Sequence, residues 1–316
     1  MTARALWITA PRQVEIRPAQ TGAGVLVEAV YSGISRGTEA LVFAGEVPVS
    51  EAQRMRGPGM EGAFDFPVKY GYCSVGRVME GALAGKLVFA LFPHQTQYRL
   101  PEASLTVLPE GLPAGRAVLG ANMETALNIV WDSGAQAGDR IAVIGAGVVG
   151  LLTAGLLAQL PGAEVTLVDI QPQRAGLAAT LGLRCVLPEA APRDCDVVIH
   201  TSASASGLGC ALTLAGLNAT VVEASWYGTR SVPVALGAGF HSQRLRLISS
   251  QVGHLPSDRA PRWSYARRMA TALTLLCADA RLDALISGET YFEDLPAQYP
   301  EILAAPETIC HRIRYT

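Results

Sequence analysis

Arg140-Ile141-Ala142-Val143-Ile144-Gly145-Ala146-Gly147-Val148-Val149-Gly150 is the stretch that decides the fold. Four apolar residues in a row read as a strand buried on both faces, three glycines follow at the G-x-G-x-x-G spacing, and an apolar helix resumes over Val148–Leu160. Gly145 permits the tight turn, Gly147 lets the backbone approach a pyrophosphate, and Gly150 allows close helix–strand packing. The first-turn residues Val148 and Val149 then present free N–H groups and partial positive charge to the phosphates. A competing reading exists, because Ile141 to Ala163 is 23 residues without a charge, long enough for a membrane span of about 20. The glycines break that stretch where a phosphate turn needs them, and Asp139 and Arg140 abut its start. No membrane partner is expected.

The next strand, Glu164–Ile170, carries Asp169, 19 residues beyond Gly150. A carboxylate there accepts hydrogen bonds from the adenosine ribose hydroxyls and repels a 2′-phosphate, which favours NAD over NADP. Arg174, on the following helix (Pro172–Leu181), is the candidate for holding a 2′-phosphate instead and is read as solvated. Strands at Asp196–Thr201, Ala219–Ala224 and Leu245–Gln251 and a helix at Leu208–Leu217 continue the alternation. Repeated βα units with nearly all-apolar strands imply a doubly wound parallel sheet covered on both faces. Thr201 and Ser202, at the end of the third strand, and Asn128, on a helix through Met123, Leu127, Val130 and Trp131, complete the residues expected at the cofactor.

Upstream, the chain is rich in Gly, Pro and short apolar runs such as Val25–Val30, Lys86–Ala90 and Gln97–Leu100, which suggests a compact β-rich barrel or sandwich. Ala44 to Phe66, with Met55, Met60, Phe64 and Phe66, is long enough to be a lid, and its composition points to an apolar or bulky substrate. Downstream of Pro261, a helix at Tyr265–Cys277 and strands at Leu285–Ser287 and Cys310–Tyr315 are expected to return to the first domain. The division is therefore residues 1–122 with 262–316 as one domain and 123–261 as the other.

Composition limits the function. The 316 residues are 50% hydrophobic and 16% charged, with a net charge of −2, against about 25% charged in an average domain. Mean hydropathy is +0.27 and the isoelectric point about 6.2. Disorder is excluded, and so is a nucleic-acid binder, which needs an excess of basic residues. The arginines and aromatics of Arg259–Arg268 read as a solvated helix start. The N-terminus lacks the apolar core of a signal peptide. The six cysteines form no CxxC pair, which fits reduced thiols in the cytoplasm.

With these elements in order, the chain resembles the medium-chain dehydrogenase/reductase family, the zinc alcohol dehydrogenase-like superfamily, over nearly its full length. The family opens with a GroES-like catalytic domain, inserts a Rossmann domain and returns to finish the first. Tyr31-Ser32-Gly33-Ile34-Ser35-Arg36-Gly37-Thr38-Glu39 looks like its Gly-Ile-Cys-Gly-Thr-Asp segment, and Pro67-Val68-Lys69-Tyr70-Gly71-Tyr72-Cys73-Ser74-Val75-Gly76 like its Pro…Gly-His-Glu…Gly segment. Ser32–Glu39 is also similar to the bacteriochlorophyllide hydroxyethyl dehydrogenase branch, over a stretch too short to carry a tetrapyrrole substrate. Gly138-Asp139 is similar to the turn before the family's first Rossmann strand. The resemblance implies an NAD-linked alcohol/carbonyl oxidoreductase working as a homodimer on a small-molecule substrate.

The departures bear on the metal. Where zinc members have a Cys and a His with Glu, this sequence has Ser35 and the pair Tyr72-Cys73; Glu124 alone matches an acidic third ligand of some members. A catalytic zinc needs three protein ligands and an open position. An unusual site from Cys73, His94, Glu39 and Glu124 is the one alternative, and no ligand spacing supports it, so zinc is not expected. The candidate catalytic residues are then Tyr72 (a phenol donor, or a ring that fills the vacated space), His94 (a general acid/base, or a loop histidine), Glu124 (a base sharing a helix face with Asn128, or a structural carboxylate), Ser35 and Thr38. Lys69 is expected to point outward by strand alternation; His200, His241, His254 and His311 receive no role. Two other functions compete: reduction of an activated C=C bond, and a non-catalytic NAD-binding scaffold or sensor.

Overall fold

The computed structural model describes residues 2–315. The chain divides into two compact units, one of Met1–Ala121 with Ala266–Thr316 and a second of Asn122–Tyr265.

In the second unit six parallel strands pair in the order Arg184–Val186, Glu164–Val168, Arg140–Ile144, Cys195–His200, Ala215–Glu223, Arg246–Ser249. Counted along the chain this is 3-2-1-4-5-6, the doubly wound dinucleotide-binding order, whose direction reverses between the first and fourth strands. The first strand is apolar on both faces because both are covered: Ile141, Ala142 and Val143 have no solvent exposure. On one side Ala142, Ile144, Val168 and Val198 pack with Leu208, Ala211 and Leu212 of the helix Ala205–Leu214. The 23-residue uncharged stretch is thus a strand, a turn and the helix Val148–Leu157. Among the described residues no helix is long and apolar enough to cross a membrane.

The first unit carries two sheets. One runs Gln13–Pro18, Arg4–Ala10, Val68–Lys69, Glu61–Gly62; the other runs Ile286–Tyr291, Cys310–Arg314, Val25–Ile34, Ser74–Val78, Leu87–Ala90, Thr106–Val107, with Gln97–Leu100 also on Val25–Glu28. The last strand, Cys310–Arg314, pairs antiparallel with the far half of Val25–Ile34, which joins the C-terminal segment to the N-terminal one. Val27, Val78, Val88, Ala90, Phe92 and Tyr98 form a core beneath this sheet.

Three expectations need correction. Lys69 does not point outward: it is fully buried, because both faces of its short strand are covered, Val68, Lys69 and Tyr70 being buried in succession, and its ammonium donates to Gln95 Oε1 at 2.7 Å, pairs with Glu61 and stands over the Phe92 ring. Burial lowers its pKa, against the opposing pull of Glu61. Arg174 is not solvated but buried, at 6% exposure. Arg268 is likewise buried, although its segment reads as a solvated helix start. In the 44–66 loop, Met60 and Phe64 are buried and Phe64 packs against Tyr70, so these apolar side chains fill the first unit's interior.

Candidate functional site

The glycine turn lies where the second unit's strand order reverses. Gly145 has φ +101°, a left-handed value that a side chain would strain. A Cβ on Gly150 would overlap the Gly145 carbonyl oxygen and come within 2.8 Å of Thr201 Oγ1, so only glycine lets the helix meet the strand there. Gly147 is different. It caps the Val148–Leu157 helix, and a Cβ on it would meet nothing within 4 Å. One glycine is required by packing and the other opens a space in front of a helix N-terminus, an arrangement that suits a pyrophosphate.

Asp169 closes the turn. Its Oδ2 accepts from Ala146 N at 2.7 Å and its Oδ1 from Gln171 N at 2.9 Å, which leaves each oxygen a lone pair for a sugar hydroxyl. Thr201 spends its hydroxyl on the carbonyls of Ile144 and Gly145, both at 3.0 Å, and so holds the turn's shape. Ser202, the next residue, is exposed and abuts Gly145. On the Gly120–Ser133 helix, Glu124 and Asn128 are both buried, and Asn128 Nδ2 donates to Asp132 Oδ2 at 2.8 Å.

In the first unit a second constellation centres on Glu39, which lies on the helix Arg36–Ala44 and has no solvent exposure. Its carboxylate accepts from Ser35 N (2.7 Å), Tyr299 OH (2.7 Å) and His94 Nε2 (3.0 Å). His94 Nδ1 meets Ser32 Oγ at 2.8 Å, and Ser32 Oγ meets Tyr315 OH at 2.9 Å. Gly71 (φ +120°) lets the chain pass this group, since a Cβ there would stand 2.9 Å from His94 Nε2. His94 is thus no exposed loop histidine. It is fully buried with both ring nitrogens engaged, one by Ser32 and the other by Glu39.

Tyr72 stands partly exposed beside this group, edge-on to Tyr70 with centroids 6.0 Å apart. Burial, with the neighbouring Cys73, Tyr70 and Glu39, pushes its phenol well above its ordinary value, while a hydrogen bond with the Ser35 side chain pulls the other way. Ser35 and Tyr72 thus form a hydrogen-bonded pair. Thr38 is partly buried on the helix behind them. Among the described residues no three His, Cys, Asp or Glu side chains are grouped to hold a metal ion.

Sequence reasoning passes over two groups. It offers Glu39 only as a metal ligand, and the partners of Glu39 lie as far apart in the chain as Ser35 and Tyr299. His200 sits with Glu223 and Tyr227 at the ends of two strands, which only the sheet register brings together.

Comparisons with known proteins bear on the fold. Residues 141–221 match the ketopantoate reductase PanE/ApbA family. The chain is 36% identical over 93 residues to an uncharacterized zinc-type alcohol dehydrogenase-like protein from Haemophilus influenzae, a match spanning 29% of this chain and 27% of that relative. Among solved structures, a protein described as the short chain alcohol dehydrogenase (rspB) from Escherichia coli CFT073, in complex with NADH, superposes with a TM-score of 0.77 at 17% identity, over 99% of both chains. TarJ from S. aureus in complex with NADPH superposes with a TM-score of 0.77 at 14% identity, over 100% of both chains. At these identities the likeness concerns the fold: a β-rich GroES-like part and a Rossmann part, as the sequence resemblance to the medium-chain dehydrogenases implies.

Proposed function

We propose that this chain is an NAD-dependent oxidoreductase of the medium-chain type that moves a hydride between the nicotinamide and an alcohol/carbonyl pair without a zinc ion. The observation that carries the reading is the contrast between Gly150, closed against the Gly145 carbonyl, and Gly147, open in front of a helix N-terminus. Gly145, Gly147, Val148, Val149 and Gly150 hold the pyrophosphate; Asp169 takes the adenosine ribose, and its negative charge disfavours a 2′-phosphate. When bound, the nicotinamide supplies the hydride chemistry.

The chain's own residues must then manage the substrate oxygen. Tyr72 is assigned the proton, because its phenol is held neutral and so remains a donor. Ser35 orients that phenol, while Glu39 and His94, out of reach of any ligand, orient Ser35. Support for a zinc-free reaction comes from the Ser35–Tyr72 pair at the family's ligand positions. We assign the chain to the cytoplasm on its scattered, unpaired cysteines and to a homodimer on the family resemblance.

Isothermal titration with NADH and NADPH, followed by NADH oxidation against a panel of aldehydes, ketones and enones, tests this reading. Binding of NADH in preference to NADPH, with turnover of aldehydes or ketones by metal-free protein, is the expected result. No binding of either dinucleotide overturns the reading, and turnover of enones alone replaces it with C=C reduction.

A further inference from the structure

At the carboxyl end of the parallel sheet, His200 and Glu223 are register partners on neighbouring strands. Glu223 Oε2 lies 2.8 Å from His200 Nδ1, and His200 Nε2 lies 2.6 Å from Ser202 Oγ. The carboxylate is held on both oxygens, by Ser225 N at 2.8 Å and by Tyr227 OH at 2.9 Å. Burial pushes the Glu223 carboxyl up, but the bonds from His200 and Ser225 outweigh it and leave the group below its ordinary value. An ionised Glu223 keeps the imidazole proton on Nδ1, so Nε2 is the acceptor that faces the serine.

The three members differ in exposure as a working nucleophile requires. His200 is fully buried, whereas Ser202 is exposed. Ser204, which caps the ten-residue helix Ala205–Leu214, has its Oγ 2.9 Å from Ser202 Oγ, so the serine oxygen sits at that helix's positive end. Gly207 makes the approach possible: a Cβ there would overlap Ser202 Oγ and stand 2.6 Å from His200 Nε2. Base, orienting acid and exposed hydroxyl within hydrogen-bond reach are the signature of an activated serine, whatever the fold that carries them.

We propose that Ser202 is a nucleophile, activated by His200 and Glu223, that accepts the acyl group of a small activated carboxylic ester. In this step Ser202 Oγ bonds to the ester carbonyl carbon while its proton passes to His200 Nε2. The carbon–oxygen bond to the leaving alkoxide or phenolate breaks, and that group departs with the electron pair, leaving an acyl-serine. The backbone amide after the nucleophile, often an oxyanion donor in such sites, is spent here: Ala203 N donates to Ser225 Oγ at 3.0 Å. An oxyanion donor would aid formation and hydrolysis of the acyl-serine alike, so its loss confines the reaction to esters with a good leaving group; the acyl-serine, an ordinary alkyl ester, is then hydrolysed slowly, and the serine is labelled once rather than turned over. The assignment does not depend on the dinucleotide reading.

The test is p-nitrophenyl acetate with the full chain, read as a burst of nitrophenolate and by peptide mass spectrometry. The expected result is about one equivalent released and an acetyl group on Ser202, with the burst lost in Ser202→Ala. His200→Gln should acylate at least ~100-fold more slowly, the typical worth of a general base, with circular dichroism confirming that the variant is folded. Absence of a burst, acetyl groups elsewhere with Ser202 unmodified, or a folded His200→Gln protein that acylates at the wild-type rate overturns the proposal.

Discussion

His94 Nε2 stands 3.0 Å from Glu39 Oε2, and neither side chain has any contact with solvent. The carboxylate is tolerated there because Ser35 N, Tyr299 OH and His94 all donate to it. Glu39→Gln keeps the volume but turns an amide N–H₂ toward at least one of these donors. Leaving buried donors unsatisfied costs about 1–3 kcal/mol for each group. A loss of about 2–4 kcal/mol is therefore expected, measured as a lower urea midpoint with an unchanged slope.

Alkaline stability follows from the same region. Burial raises the phenols of Tyr70, Tyr72, Tyr98, Tyr299 and Tyr315 above the ordinary value of 10.0, and Glu39 adds to the effect on Tyr70, Tyr72, Tyr299 and Tyr315. In the unfolded chain these groups release their protons near 10.0, while in the folded chain they keep them. The folded state then binds more protons, so unfolding free energy falls as pH rises above that value. Urea titrations at intervals from about pH 8 to pH 11 should show a flat region and then a decline. A stability that holds constant through pH 11 would contradict the burial of these phenols.

Two glycines in one turn separate folding from binding. Gly150→Ala places a methyl group against the Gly145 carbonyl oxygen and should lower both the melting temperature and NADH affinity. Gly147→Ala meets no protein atom within 4 Å, so its melting temperature should match the wild type. Its methyl occupies the space assigned to phosphate, and NADH should bind at least ~10-fold more weakly, about 1.4 kcal/mol. Thermal melts and fluorescence titrations of the two variants check both statements.

How legible these features are in the sequence depends on whether the signal is local. The turn, its strand and its helix are readable because Arg140–Gly150 contains every residue that shapes them. The doubly wound parallel sheet is readable from the repeated βα units with nearly all-apolar strands. Lys69 misleads because alternation presumes a strand with one covered face, and Val68, Lys69 and Tyr70 are buried in succession. The helices Arg36–Ala44 and Leu295–Ala304 escape a sequence reading: the first begins inside a motif read for its chemistry, and the second contains Pro300. The Glu39 network is hidden for a different reason. Its members come from residues 32 to 315, and no spacing along the chain announces them.

Asp169 decides cofactor preference through charge as well as hydrogen bonding. Asp169→Asn removes the negative charge while keeping the shape and one acceptor oxygen for the turn's amides. The ratio of NADPH to NADH dissociation constants should fall by ~10-fold or more, because repulsion of the 2′-phosphate disappears along with an acceptor for the ribose hydroxyls. Parallel titrations with the two dinucleotides measure the ratio. An unchanged ratio would move the discrimination to another group, with buried Arg174 the first to substitute.

Tyr72→Phe tests the chemistry most directly. The ring and its edge-on contact with Tyr70 are retained, and only the hydroxyl that meets Ser35 is lost. If this phenol supplies the proton to a carbonyl oxygen, kcat for reduction should fall by ~10²–10⁴, the range typical of a positioned acid. The wild-type rate should also be insensitive to ionisation of this group up to about pH 10, because burial holds the phenol protonated beyond its ordinary value of 10.0. Glu39→Gln removes the negative charge that helps raise it, so the alkaline limb of the rate profile should move to lower pH in that variant. A purely structural role for Tyr72 predicts lost stability with an unshifted profile, and steady-state rates from about pH 6 to pH 10.5 on both variants separate the two.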